Sequence, residues 1–191
     1  MDAYGDEQPR GTAGEMVLRH SEATPRKGAF SGYLNKPDAT EEAWRGGWFH
    51  TGDTVVMDQS GMIFFVDRAK NIIRRAGENI AAAEVENILF QDERVVNVAC
   101  VAVPDAVREE EVLACIVLAD GVAQTPEAAQ DIFAQVFDKM AYFKPPGWIL
   151  FMDELPVTST QKVVKHKIFA QGEDPRERAG IVDLRHLKKR G

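Results

Sequence analysis

Three short patterns hold the residues best suited to chemistry. The first is Gly47-Trp48-Phe49-His50-Thr51-Gly52-Asp53. The second is Asp67-Arg68-Ala69-Lys70-Asn71-Ile72-Ile73, which continues to Gly77-Glu78-Asn79-Ile80 and to Glu84-Val85-Glu86. The third is Leu155-Pro156-Val157-Thr158-Ser159-Thr160-Gln161-Lys162-Val163-Val164-Lys165. Asp53 offers two acceptor oxygens, enough for both hydroxyls of a ribose diol; an aspartate after glycine is also an ordinary turn residue. Arg68 carries a planar fork of donors that suits ribose or phosphate oxygens. Its alternative is an exposed pair with Asp67, which contributes little. Gly77 fits a tight hairpin turn, or a place where something must pass close to the backbone. Lys162 carries an ammonium, and a positioned cation of that kind offsets negative charge at a phosphoryl centre. Lys165 and Lys167 read as solvated surface. His50, Trp44 and Trp48 read as packing or turn residues. Arg74 and Arg75 read as solubilising surface or as contacts for phosphate groups.

The elements that must position these residues change in character near Asp67. Residues 1–66 are turn-rich β structure, with glycines and prolines between short runs such as Met16-Val17-Leu18 and Met62-Ile63-Phe64-Phe65-Val66. A short helix fits 35–45. These strands need a partner sheet. Beyond Asp67, the spacing predicts a strand over 71–74 and a helix from Ala83 to about Phe90, with Val85, Ile88 and Leu89 on one face. Two β-rich runs follow at 95–103 and 112–118. Thr125-Pro126 is a helix start, a hydroxyl cap followed by proline. Ile132, Phe133, Val136, Phe137 and Met140 stripe that helix. A last strand is expected at 147–152. Helix, strand, strand, helix, strand makes a small α+β domain with helices covering a sheet.

Composition bounds the function classes. The chain has 191 residues, 45% hydrophobic and 28% charged, ordinary for a globular protein. No run approaches the roughly 18 apolar residues of a membrane span, and the polar, acidic start shows no secretory signal. Cys100 and Cys115 sit inside apolar runs and are expected to be buried and reduced, which fits a cytoplasmic protein. The net charge of −7 is uneven: residues from Lys162 onward carry nine Lys/Arg against four Asp/Glu, so the remainder is strongly acidic. Such a tail suits a polyanionic partner, or a solvated face beside an acidic neighbour. No aromatics interleave with the basic residues, which argues against nucleic acid as the partner.

Taken in order and spacing, the three patterns resemble the last core motifs of the adenylate-forming superfamily: acyl-CoA synthetases, adenylation domains of peptide synthetases, and luciferases. Gly11-Thr12-Ala13-Gly14-Glu15-Met16 and Gly32-Tyr33-Leu34-Asn35-Lys36-Pro37 fit as well, so the resemblance covers nearly the whole chain. The family's phosphate loop and adenine-holding aromatic motif are absent, which implies a chain that starts inside the large domain. The resemblance implies that 1–66 end the large domain, 67–70 form a hinge, and 71–191 form a mobile lid. It assigns Asp53 and Arg68 to the nucleotide, Lys70 to the hinge, Gly77 to the pantetheine passage of CoA, and Lys162 to adenylation. It places Gln161 where glycine is usual. It implies an acid-thiol ligase that uses ATP with Mg2+ to convert a carboxylic acid to an acyl-adenylate. Transfer to CoA then releases AMP. This piece alone is expected to be inactive. The alternatives are adenylation for a carrier protein, and a non-catalytic module that binds nucleotide or a partner surface.

Overall fold

The computed structural model describes residues 1–2 and 5–189, which divide into two compact units, Met1–Lys70 and Asn71–Gly191. In the first unit β1 (Ala13–Leu18), β2 (Phe49–Met57) and β3 (Ile63–Arg68) form an antiparallel sheet in that order. The connection from β1 to β2 carries α1 (Pro37–Ala43), which begins on a proline. The Thr40 hydroxyl accepts the Tyr33 N–H and donates to the Lys36 carbonyl. Phe30, Tyr33, Trp44 and Phe49 form a small aromatic cluster. Among the described residues of this unit, Trp44 is the one buried hydrophobic side chain; Ile63, Phe64 and Phe65 are 47%, 53% and 61% exposed.

The second unit has its own core. Its strands are β4 (Ile72–Arg75), β5 (Glu78–Ala81), β6 (Val95–Asp105), β7 (Glu109–Leu118), β8 (Trp148–Phe151) and β9 (Val182–Asp183), with helices α2 (Ala82–Leu89) and α3 (Pro126–Phe137). Strand β7 is the spine, antiparallel to β6, parallel to β8 and bridged to β4. The parallel β7–β8 pair requires a crossover, and α3 supplies it. Thr125 caps α3, accepting the Ala128 N–H.

Alternation along β7 builds two cores. Val112, Ala114 and Ile116 face Val85, Leu89, Ile132, Phe133 and Val136 of the helices. Leu113 and Cys115 face the other way, onto Leu155 and Ile168. A strand covered on both faces reads as the continuous apolar run seen at 112–118. The thiols are buried on opposite faces, Cys100 with one core and Cys115 with the other, so no disulfide joins them. Burial pushes the Cys115 thiol up to about 12.

Strands β5 and β9 were not expected. The first is too short and half polar for a period-two signal. The second has only two residues, and long-range pairing with β8 creates it. The basic tail also differs from the solvated face that its charge suggested. Arg185 pairs with Asp105 and Asp183 and stacks over Trp148, while the Lys188 side chain is fully buried against Glu111 at 2.7 Å. Burial pushes that ammonium down to about 8, although Glu111 opposes the shift. No helix among the described residues is long and apolar enough to cross a membrane.

Candidate functional site

Strand register brings Asp53 opposite Arg68 on β2 and β3. Arg68 Nε lies 2.7 Å from Asp53 Oδ1, and its Nη1 donates to the Thr51 carbonyl at 3.2 Å. The Nε–H is not aimed at Oδ1, so this buried oxygen has a cation beside it but no hydrogen-bond donor among the described residues. Buried carboxylate oxygens normally find a directed donor, whereas Oδ1 is held here by the charge of Arg68 alone. Arg68 thus turns to Asp53, while the Asp67 carboxylate accepts the Arg68 backbone N–H.

The segment before Asp53 is held from a distance. Gly52 has φ +70°, a left-handed conformation suited to glycine. Glu15 accepts the Gly52 N–H through Oε1 and meets His50 Nδ1 at 2.7 Å through Oε2. The Thr51 hydroxyl donates to the Met16 carbonyl and accepts the Asp53 N–H. His50 is therefore a partly buried strand residue tied to Glu15, and not the turn residue that its sequence context allowed. Glu15 was missed as an organiser of this segment, because its partners lie 35 and 37 positions away and no local spacing reveals it.

Lys70 is exposed in a 3-10 turn, Ala69–Asn71, at the division between the two units. Gly77 occupies a two-residue turn between β4 and β5, opposite Ala76, with φ +51° at Ala76 and +83° at Gly77. Two positive φ values make the type I′ hairpin turn. A Cβ built on Gly77 meets nothing within 4 Å, so backbone conformation, not crowding within this unit, explains the glycine here. Arg75, read from sequence as exposed, is buried; its side chain is 5% exposed and its Nε lies 2.8 Å from Glu111. It is unavailable for phosphates. Arg74 stays exposed.

Lys162 closes a five-residue turn that starts at Thr158. The Thr158 N–H donates to the Lys162 carbonyl at 2.8 Å, Thr158 Oγ1 accepts the Lys162 N–H at 3.1 Å, and Val157 bridges Val163. Gln161 has φ +63°, the conformation that a glycine takes without strain. The Lys162 ammonium is exposed and makes no ion pair or hydrogen bond among the described residues. Three residues on, Lys165 is tied to Glu86 at 2.7 Å. Lys165, read from sequence as solvated surface, is instead partly buried in this ion pair. The structure brings Asp53 and Arg68 into contact; Gly77 and Lys162 stand on separate turns of the second unit. No group of three or more His, Cys, Asp or Glu is placed to hold a metal among the described residues.

The AMP-binding enzyme C-terminal domain family matches residues 84–162. Crotonobetaine/carnitine–CoA ligase of Proteus mirabilis is 39% identical over 165 residues, which is 86% of this chain and 31% of that protein. The probable acyl-activating enzyme 5, peroxisomal, of Arabidopsis thaliana is 40% identical over 154 residues, covering 81% and 27%. Among solved structures, an ATP-bound RpMatB-BxBclM chimera superposes with a TM-score of 0.72 at 32% identity, covering 86% of this chain and 31% of that one. The anthranilate CoA ligase AuaEII in complex with anthranoyl-AMP gives 0.71 at 29% identity, covering 87% and 31%. The chain thus spans less than a third of the length of these relatives. The chain is similar, over most of its own length, to AMP-binding, adenylate-forming enzymes, and its residues 84–162 carry their C-terminal domain.

Proposed function

We propose that this chain is the C-terminal portion of an ATP-dependent acyl-CoA synthetase. In the complete enzyme a carboxylic acid and Mg·ATP give an acyl-adenylate and pyrophosphate. Residues 71–191 then swing about Lys70, and the CoA thiol displaces AMP. Asp53 and Arg68 hold the ribose, Oδ1 of Asp53 accepting a hydroxyl. Lys162 delivers its ammonium to the α-phosphoryl centre as carboxylate and phosphate oxygens are forced together. Gly77 lies beside the pantetheine arm in the second orientation. Mg2+ enters with the nucleotide, and no residue of this chain is assigned to it. Two buried thiols on opposite sheet faces support a reducing compartment such as the cytosol.

The observation that carries this reading is the unpartnered ammonium of Lys162 on a hydrogen-bonded turn, beside a Lys165 that is tied to Glu86. In the complete enzyme Lys162→Ala is expected to slow adenylation by roughly 10²–10³-fold, the effect of losing one transition-state electrostatic partner. Thioester formation from supplied acyl-adenylate is expected to survive. Rapid mixing that follows each half-reaction separately makes the test, and an equal loss in both would remove Lys162 from this role.

A further inference from the structure

The β4–β5 hairpin is fastened to its unit in two ways. At its base Ile73 and Ile80 are register partners, 1% and 0% exposed in the core beneath the helices. Nearer the turn the fastening is polar. One residue pair, Arg75 with Glu109, joins β4 to β7 in the ladder. The Arg108 carbonyl accepts the Ala76 N–H at 2.9 Å, and the Glu110 carboxylate accepts the Arg74 N–H at 2.6 Å. Glu111 Oε2 takes Arg75 Nε at 2.8 Å.

Glu111 is itself braced from the other side. Its Oε1 accepts from Lys188 Nζ at 2.7 Å and from the Val112 N–H at 2.9 Å, with no part of its side chain exposed. Gly147 makes room for it, since a Cβ there would stand 2.4 Å from Glu111 Cγ. One buried carboxylate therefore separates two buried cations, one from the hairpin and one from the C-terminal tail. Without it, Arg75 and Lys188 would face each other unneutralised, an arrangement that a low-dielectric interior strongly disfavours.

We propose that Glu111, braced by Lys188, is a positioning residue for the Gly77 turn, fixing where that turn stands when the acceptor thiol arrives; this rests on the proposed ligase reading. The turn forms locally from its two positive φ values, so Glu111 governs its placement and not its formation. A loop that presents a passage must be held to well under an ångström, and its supporting residues do that holding. The basic tail acquires a purpose here: β9 and the Arg185–Asp105 pair carry Lys188 into its buried position.

The test has two parts. Hydrogen–deuterium exchange on the 191-residue chain compares the native protein with Glu111→Gln and Lys188→Met. The Arg74 and Ala76 amides are expected to exchange at least about tenfold faster, while the amides of α3 keep their protection, as for a local opening. A uniform loss of protection, or no change, would overturn the proposal. Lys188→Met leaves Arg75 and Glu111 as a balanced pair, so it remains informative should Glu111→Gln not fold. In the complete enzyme both variants are expected to slow acyl transfer from preformed acyl-adenylate by roughly 10- to 100-fold, the scale of a misplaced contact, with adenylation unchanged. An equal fall in both half-reactions would also overturn it. Gly77→Leu separates the two ideas. If that variant transfers normally, the passage reading fails whatever the exchange data say. If it is slow while the brace variants are not, the positioning role fails.

Discussion

Gln161 adopts φ +63° immediately before Lys162, and Thr158 ties down both ends of the turn through its backbone and hydroxyl. A non-glycine residue in the left-handed region costs about 1–2 kcal/mol. Glycine there relieves the strain but returns some unfolded-chain entropy. Gln161→Gly is therefore expected to stabilise the second unit by about 0.5–1 kcal/mol, measured as a shift in the denaturant midpoint; a destabilised variant would mean that the glutamine side chain contributes more than its backbone costs. Residues whose backbone role is local were legible in this way. Lys162 and Gly77 sit in short patterns whose residue types announce a loop and a hairpin. Glu15 and Glu111 were not legible, because their side-chain partners across the fold are 30 to 77 positions distant and a lone glutamate in an apolar or turn-rich run has no spacing to read.

Strand β7 shows the same division among elements. Its apolar run from 112 to 118 was visible in the sequence, and both of its faces are covered. Its polar start, Glu109 to Glu111, lies outside the run expected at 112–118, yet it carries the attachment of the β4–β5 hairpin. The helices were legible for a simple reason: α2 and α3 each bury one stripe, and α3 announces itself with Thr125 and Pro126. Tight packing beside the buried carboxylate leads to a prediction about the strand entry. A Cβ on Gly147 would lie 2.4 Å from Glu111 Cγ and 2.9 Å from Arg185 Cγ. Gly147→Ala is expected to destabilise the unit by about 1–3 kcal/mol, the cost of overpacking a filled core. Calorimetry makes the measurement, and an unchanged melting temperature would show that Glu111 moves aside without strain.

The two units differ in what they bury, and that difference governs the behaviour of the whole chain. The second has cores on both faces of its sheet; the first buries one hydrophobic side chain among its described residues. Resistance to proteolysis follows buried contacts. Trypsin is therefore expected to cut early at Arg68 or the exposed Lys70 and to leave a fragment beginning near Asn71, identified by mass. Survival of residues 1–70 after the second unit is lost would contradict this. Phe64 and Phe65 are neighbours on one strand, so they point to opposite sides, and both are more than half exposed. A flat covering layer can shelter only one of them. Covering both rings would take a partner that reaches both sides of β3, as a slot grips a tongue. Two oily surfaces back to back also let one molecule touch two others at once, so crowded solutions of this chain will tend to grow strings and not stop at pairs.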